Sequence, residues 1–416
     1  MFSLSNLYRS HIPKKTRYNF SVELISYILF GISNGFLVPF YYLIARQDFQ
    51  ATPIWLGVIS MAGGIGSILS FVTTGFIKPG KELLVYIANL FFGRLLIIGL
   101  IFSLNAPMYC TIIFMITCLQ TIPIPQYGII VQNIYPDYCR GTLMSYIKIA
   151  LTITTLLATV LGGFLIDKFS WQTVFFLSGV FAVLSTVVLF KLKVPKVAGA
   201  KPLPIHEYVK YSFEILKKDA LNRNIIIGMF LFIIGVQLTT ILMPMTQVDI
   251  LDVTPKQLGI LNGILTFVWI LSFAVFGRYL DKQGPLRTML IAYFIYIIAM
   301  AFYIFANDWK GLILSFVILG INRGANELAF FNLVISLSPK GKENLYQGFN
   351  YLWLGISSTV NVFISTWIIN RTLEWNYLST LRAKHNALYL FSIVFMLTVI
   401  VYQYIAYRKH FDINRH

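Results

Sequence analysis

Charged residues are scarce in this sequence, and acids are the scarcest of them. Of its 416 residues, 12% are Asp, Glu, Lys or Arg and 57% are hydrophobic. A soluble domain averages about 25% charged residues. A chain this poor in charge cannot cover a water-facing surface, so the composition predicts an integral membrane protein.

Cysteine and histidine are also few. The three cysteines, Cys110, Cys118 and Cys139, have no metal-ligand spacing and form no disulfide framework. None of the five histidines falls in an apolar run. We find no nucleophile–base pair or nucleotide-binding loop either, and therefore expect neither an enzyme nor a bound cofactor or metal.

What the sequence has instead is long apolar runs. Twelve of them approach or exceed the roughly 20 residues that a membrane-spanning helix needs. We number these candidate spans 1 to 12: 22–45, 55–77, 83–104, 108–132, 143–167, 171–192, 224–248, 258–280, 286–306, 310–336, 346–370 and 387–407. The first has basic flanks, exceeds a signal peptide in length and has no clear cleavage site, so we expect it to remain as an uncleaved helix.

Basic residues exceed acids by 33 to 16, giving a net charge of +17, but they lie between the apolar runs rather than in one patch. The side that holds both termini carries 21, the opposite side seven and the spans five. This bias predicts cytoplasmic termini and argues against a nucleic-acid partner. The richness in Ile, Phe, Lys and Asn favours a bacterial source, and hence a bacterial inner membrane. The charge bias also predicts six-helix halves at 1–192 and 224–416, joined by a cytoplasmic linker at 193–223 that is either solvated or contains an interfacial helix.

The two halves share a sequence repeat. Thr254-Pro255 and the residues after it match Thr52-Pro53 at an offset of 202. Prolines or glycines interrupt spans 1, 4, 7 and 10, the first span of each successive set of three, which predicts four three-helix units within two equivalent halves. The interrupting residues are Pro39, Pro123, Pro125, Pro244, Gly320 and Gly324.

The loop after span 8 resembles the signature of the major facilitator superfamily, G-x-x-x-D-[RK]-x-G-x-[RK]-[RK]. The matching residues are Gly277, Asp281, Lys282, Gly284 and Arg287, with Leu286 at a usually basic position. In the first half Gly75 survives, but Pro79 and Gly80 replace the acid and base. The resemblance implies an all-α fold of twelve transmembrane helices in two pseudo-symmetric six-helix bundles, with this loop as a cytoplasmic gate.

Deep charges are the first candidates for function, since a charge at mid-membrane costs at least ~2.5–3.5 kcal/mol. Arg323 and Glu327 lie one turn apart on span 10, and Arg94 lies near the middle of span 3. We expect Arg323 to bind an anionic substrate group and Glu327 to exchange a proton. The alternatives are a structural Arg323–Glu327 pair, or Arg94 locking helices through Glu327. Lys148 either snorkels to the interface or faces a cavity.

Glu23 and Asp167 lie at predicted helix ends, where water can solvate them. Polar stripes mark the faces of several spans, and they either line a wet cavity or form interhelical hydrogen bonds. The stripe residues that we expect to contact substrate, besides the deep cations, are Asn34, Gln120, Gln126, Gln237, Asn350 and Trp353.

Three buried cations against one acid favour an anionic or zwitterionic substrate. We therefore expect a monomeric, lipid-embedded secondary transporter of a carboxylate, amino acid or siderophore, working by alternating access as a proton symporter. A lipid or drug exporter and an uncoupled uniporter of the same fold are the alternatives, because the spans are rich in aromatic residues and because a uniporter needs no titrating acid.

Overall fold

The computed structural model describes residues 16–74, 77, 80–195, 210, 213–214, 217, 219–337 and 343–408. Twelve of its helical segments are long and apolar enough to cross a membrane, which confirms the twelve predicted spans. Their helices, in chain order, are Arg17–Leu37 with Tyr41–Gln47, Pro53–Thr74, Glu82–Gly99, Ala106–Thr121 with Ile124–Ile134, Asp137–Lys168, Trp171–Leu189, Ala220–Asp249, Pro255–Gln283, Pro285–Phe305, Ile313–Leu337, Glu343–Leu373 and Leu381–Tyr407. Short 3-10 turns, Leu100–Phe102 and Lys310–Leu312, extend spans 3 and 10.

The helix breaks differ between the halves. Span 1 is interrupted at Pro39 and span 4 at Pro123, as predicted, because a proline ring removes a backbone donor and clashes with the preceding turn. Span 7 runs without a break through Pro244, and span 10 is continuous through its glycines. In span 10 the glycines serve packing: a Cβ on Gly320 would lie 2.6 Å from the carbonyl oxygen of Leu265 in span 8.

The repeated Thr-Pro motif begins a helix in each half. In the second half, the Thr254 hydroxyl accepts a hydrogen bond from the Gln257 amide, and the Gln257 side chain accepts one from the Thr254 amide. This capping box satisfies backbone donors that the first turn would leave free, and Pro255 suits a position that needs no donor. The turn before it is also repeated: Gln50 and Asp252, at the same offset of 202, both have left-handed backbone angles, with φ of 52° and 47°.

Helix packing is equivalent in the two halves. Span 1 packs on spans 5 and 6, as span 7 packs on spans 11 and 12. Span 4 packs on spans 2 and 3, as span 10 packs on spans 8 and 9. The predicted pseudo-symmetric fold is therefore confirmed.

The halves meet through spans 2 and 11 and through spans 5 and 8. Glycines permit this approach, since a Cβ on Gly64 would lie 2.8 Å from the oxygen of Gly355, and one on Gly163 would lie 2.7 Å from the oxygen of Pro255. The second contact lies at the end of the bundle opposite the termini, which we call the far end. Most of the linker, and Gly75 and Pro79 of the first-half loop, lie outside the described residues.

Candidate functional site

Arg323 projects from the middle of span 10 into the space between the halves. Its guanidinium lies 5.0 Å from the ring centre of Trp269 in span 8 and close to Tyr41 of span 1 in the other half. The residue is exposed, although it is far from either end of its helix. Within the described residues it forms no hydrogen bond or ion pair, so its charge is available to a ligand.

Glu327 forms an ion pair with Lys148 of span 5, which joins the two halves. The helix of span 5 begins at Asp137, earlier than predicted, so Lys148 lies about 16 Å along it. Of the two alternatives for this lysine, the structure therefore favours the cavity-facing one. The structural Arg323–Glu327 pair does not form.

Arg94 is buried, with 4% of its surface exposed. Its Nη1 donates to the hydroxyls of Ser185 and Thr186 in span 6, at 2.7 and 3.0 Å, and its guanidinium carbon lies 4.3 Å from the ring centre of Phe30. These contacts are all within the first half, so Arg94 does not lock helices through Glu327. Its Nε is buried without a hydrogen-bond partner.

Three of the predicted substrate residues line one cavity. Asn34, Gln120 and Arg94 lie in the wall of a space of about 440 Å³ among spans 1, 3 and 4 of the first half. Tyr41, which is near Arg323, also lines it. This N-terminal cavity thus extends from a buried cation toward the space between the halves.

Gln126 does not line that cavity. It is 1% exposed, and its amide group lies 3.2 and 3.1 Å from the carbonyl oxygens of Ile122 and Pro123, at the break of span 4. With its nitrogen facing them, the side chain satisfies carbonyls that the proline break releases from the helix. Its position indicates a structural role beside the site rather than contact with substrate.

The predicted residues of spans 7 and 11 form a separate group. Gln237 accepts a hydrogen bond from Ser60 of the first half at 2.5 Å and donates to the oxygen of Ser358 at 3.3 Å. Asn350 is buried and donates to its own helix at Tyr346. Trp353 lies beside Asn350 around a small gap, and its indole Nε1 is buried without a partner. Only Gln237 of this group joins the two halves.

The predicted gate loop begins on the last turns of span 8. Asp281 and Lys282 are exposed, and Gly284 has a φ of 79° where span 8 ends and span 9 begins. Arg287 donates to Gln283 at 2.7 Å. A Cβ on Gly277 would meet no atom within 4 Å, so this end of span 8 is loosely packed. A gating role for these residues remains a prediction.

Glu23 does not lie at a solvated helix end. We expected a solvated helix end, but the first helix begins at Arg17, and Glu23 is 0% exposed. Its two carboxylate oxygens accept hydrogen bonds from the hydroxyls of Tyr127 and Tyr135. Hydropathy alone could not extend the helix across the polar residues that precede Glu23. Asp167, in contrast, is exposed as expected and accepts from the Lys256 amide at 3.2 Å.

Two further features at the far end were missed. Arg46 of span 1 forms a bidentate ion pair with Asp249 of span 7, with a shortest N–O distance of 2.6 Å. The sequence does contain a pattern that predicts this pair, because the two opposite charges lie at matching ends of equivalent spans. His385 lies inside the helix of span 12, buried, with its Nδ1 2.9 Å from the Thr246 hydroxyl. The helix of span 12 thus begins before the predicted 387 and includes this histidine.

Solved structures share this architecture. The nucleoside transporter NupG is 13% identical, with a TM-score of 0.74, and the match covers 95% of this chain and 100% of that one. A bacterial homologue of the human lysosomal transporter Spinster, in an inward-facing and unoccupied conformation, is 13% identical with a TM-score of 0.67, covering 97% and 98%. A D-xylose–proton symporter is 14% identical with a TM-score of 0.62, covering 91% and 96%. At these identities the likeness establishes the fold alone.

No curated protein sequence matches this chain. The sequence model of the Major Facilitator Superfamily, however, matches residues 24–362, most of the chain. Together with the twelve spans and the equivalent halves, this match shows that the chain is a multi-pass membrane transporter that belongs to the Major Facilitator Superfamily.

Proposed function

We propose that this protein is a proton-coupled secondary transporter of a small or medium organic anion or zwitterion, such as a carboxylate, an amino acid or a siderophore. It works by alternating access in a bacterial inner membrane, with both termini in the cytoplasm. The basic residues on the side of the termini support this orientation.

The observation that carries the proposal is the unpaired charge of Arg323. The nearest acid on its own helix, Glu327, is engaged by Lys148 of the other half, so Arg323 retains an uncompensated charge between the halves. An uncompensated cation at this depth is unfavourable in a membrane protein unless something neutralises it. An anionic group of the substrate supplies that neutralisation, and a guanidinium can bind a carboxylate through two parallel hydrogen bonds.

The Lys148–Glu327 pair supports proton coupling. Because the pair joins the two halves, protonation of Glu327 removes one of the attractions between them. A proton bound at Glu327 therefore changes the relative free energies of the two access states, which is what coupling requires. The far end is held by a separate pair, Arg46–Asp249. The two pairs lie at different depths, so the protein can break one while it keeps the other.

The remaining predicted residues take roles around this centre. Gln120, Asn34 and Arg94 contact the part of the substrate that enters the N-terminal cavity, while Gln237 joins the halves beside it. The loop from Gly277 to Arg287 closes the cytoplasmic side when the far end opens.

A thermal-stability screen tests the proposal. The purified protein is heated with organic anions, amino acids, sugars and amphiphiles, and a ligand at 100 times its Kd stabilises the native state by about 2.7 kcal/mol. We expect anions to stabilise the wild-type protein and to lose this effect in Arg323→Gln. Arg278→Gln is the matched control, because Arg278 is exposed near the end of span 8 and its loss removes the same charge.

Stabilisation by amphiphiles alone would replace the proposal with a lipid or drug exporter. Anion binding that survives in Arg323→Gln would remove Arg323 from the site. Coupling is tested in proteoliposomes, where an imposed proton gradient should drive accumulation in the wild type and fail to do so in Glu327→Gln. Wild-type flux that ignores the gradient would identify a uniporter.

A further inference from the structure

The N-terminal cavity has the size of a ligand pocket. Its volume of about 440 Å³ lies within the range of roughly 300–1,000 Å³ that is usual for small-molecule sites. Its lining residues all belong to spans 1, 3 and 4 of the first half. The wall of the cavity is thus built by one half alone.

Arg94 is the one fixed charge in this wall. The residue is 4% exposed and keeps its position through the hydroxyls of Ser185 and Thr186, on the side of span 6. Both hydrogen bonds use Nη1, and among the described residues no partner is found for Nε or Nη2 and no carboxylate forms an ion pair with the guanidinium. A guanidinium can donate five hydrogen bonds. Arg94 therefore has donors left for an anion in the cavity.

Glu23, the nearby acid, does not neutralise Arg94 through an ion pair. Its oxygens accept from Tyr127 and Tyr135. The bond to Glu23 also fixes the Tyr127 ring, which lines the cavity and stacks on Tyr86 with ring centres 5.5 Å apart. Glu23 thereby fixes the orientation of an aromatic side chain in the cavity wall.

The rest of the wall is mostly aromatic and aliphatic. Tyr27 lies 6.0 Å from Tyr127 between ring centres, and Phe30 covers the guanidinium of Arg94. Ring pairs at such separations stabilise one another beyond the burial of their surfaces. Aliphatic side chains, among them Leu90, Ile97, Ile113 and Ile116, form much of the remaining surface, and the neutral polar side chains are Ser33, Asn34, Thr117, Gln120 and Thr121. Beside Arg94 the wall is therefore aromatic and aliphatic, which suits a flat ring better than a polyhydroxylated ligand.

We propose that the N-terminal cavity binds a small aromatic carboxylate, with its carboxylate on Arg94 and its ring among Tyr27, Tyr86 and Tyr127. This inference rests on the proposed function, since it names the class of organic anion that the transporter carries. Gln120 and Tyr41 lie at the wall nearer the second half, where Arg323 contacts whatever part of the substrate extends out of the cavity.

Binding of defined probes to the purified full-length protein tests the inference. Benzoate and 3-phenylpropionate are the aromatic acids, cyclohexanecarboxylate is the saturated acid of matched size, and benzyl alcohol is the uncharged aromatic. Affinities are measured by calorimetry. We expect both aromatic acids to bind the wild type at least tenfold more tightly than the other two probes.

Variants then locate the site. Arg94→Gln should weaken benzoate binding at least tenfold, and Arg94→Lys should recover part of the loss. Thr117→Phe fills the cavity from span 4 while leaving Arg94 in place, and it should abolish binding even if Arg94→Gln fails to fold. Arg278→Gln should leave benzoate binding within about twofold of the wild type, because Arg278 is exposed near the end of span 8 and does not line the cavity.

Equal affinity for benzoate and cyclohexanecarboxylate would overturn the aromatic assignment, and wild-type binding in Thr117→Phe would overturn the location. If other anions bind through Arg323 while no aromatic acid binds at all, the proposed function stands and this inference fails. If benzoate binds and needs Arg94, but no transported anion needs Arg323, the inference stands and the central site fails.

Discussion

The two halves of this transporter share a fold but differ in how the same region is filled. In the first half, spans 1, 3 and 4 surround a cavity of about 440 Å³ with a buried cation in its wall. In the second half, spans 7 and 9 close the equivalent region: Phe232 stacks on Tyr293 with ring centres 3.7 Å apart, and Tyr296 is 2.7 Å from the Thr239 hydroxyl. Phe232 lies at the repeat offset of 202 from Phe30, which borders the cavity.

The difference has a functional consequence. We call the first half, with its cavity, the hollow half, and the second half, where the equivalent region is packed, the filled half. The hollow half presents a concave surface to a ligand, and the filled half presents a single projecting cation, Arg323. At the repeat position of Arg323, offset by 203, the first half has the neutral Gln120 in its cavity wall. Under the proposed function, two halves of equivalent fold thus take different roles: the first half shapes the substrate site, and the second half contributes the charge of Arg323.

The largest expected effect comes from opening the filled half. Phe232→Ala should destabilise the protein by about 3–5 kcal/mol, because it removes a buried aromatic side chain and leaves a void among packed neighbours. Phe232 is 3% exposed, whereas Phe30 borders an existing cavity. Phe30→Ala should therefore cost roughly half as much. Unfolding in denaturing detergent measures both. Equal costs would show that the two regions are packed alike.

Next in size are the two ion pairs between the halves. In the far-end pair the side chains of Arg46 and Asp249 are 19% and 13% exposed, but in the interior pair those of Lys148 and Glu327 are 58% and 37% exposed. Arg46→Gln should shift the balance of access states by about 1–2 kcal/mol, which changes the population ratio roughly 5–30-fold. Lys148→Gln should shift it by less than about 1 kcal/mol, because water screens that pair.

The distance between spin labels at Leu104→Cys and Asn307→Cys measures whether the far end is open or closed. These positions lie in matching far-end loops, offset by 203, and both are exposed. In a background without the three native cysteines, Arg46→Gln should add a longer distance between the labels, and Lys148→Gln should not. If the longer distance is found in Lys148→Gln and not in Arg46→Gln, the interior pair, not the far-end pair, holds the far end closed.

The sequence predicts features that repeat or extend over many residues. Twelve spans follow from hydropathy because each needs only length and composition, and the equivalent halves follow from one sustained register. The capping box at Thr254 and the left-handed turn at Asp252 have counterparts because the same local backbone is built twice. Helix ends were less predictable: the start of span 5 lies six residues before the predicted 143, so Lys148 lies farther along its helix than predicted.

The partners of the buried charges were not predictable in the same way. Glu327 lay one turn from Arg323 in the sequence, which suggested that they pair, yet its partner is Lys148, 179 residues away. Arg94 likewise binds two hydroxyls of span 6 that no local pattern connects to it. Such pairs depend on how the spans pack around one another. Partners that are distant in the chain therefore cannot be identified until the packing of the spans is known. Deep charge therefore indicated which residues are candidates for function, but not what they contact.

A second pair of substitutions, with effects comparable to those of the ion pairs, should distinguish the charge in the hollow half from the neutral polar contact in the filled one. Thr186→Val removes an acceptor from Arg94 and keeps the side-chain shape, and it should cost about 1.5–3 kcal/mol because the lost bond is to a charged group. Thr239→Val removes the neutral contact with Tyr296 and should cost about 1 kcal/mol. Detergent unfolding measures both. If Thr186→Val costs no more than Thr239→Val, Arg94 has another partner, and its charge is less available to a ligand than its geometry indicates.

The smallest effects concern the loop after span 8, the only one of the two copies that retains the acid and base of the family signature. Gly284→Ala should destabilise the protein by about 1 kcal/mol, because its φ of 79° disfavours any side chain. Gly277→Ala should instead stabilise it by up to about 1 kcal/mol, since the helix gains a better helix former and the added Cβ meets no neighbour. If so, the stability of the folded protein in this conformation does not explain why position 277 is a glycine. If Gly277→Ala is more stable yet transports more slowly, the glycine is needed where the halves approach each other on the side of the termini, in the opposite access state. A stable variant with unchanged transport would remove Gly277 from the gate and leave Gly284 as a glycine required by the turn alone.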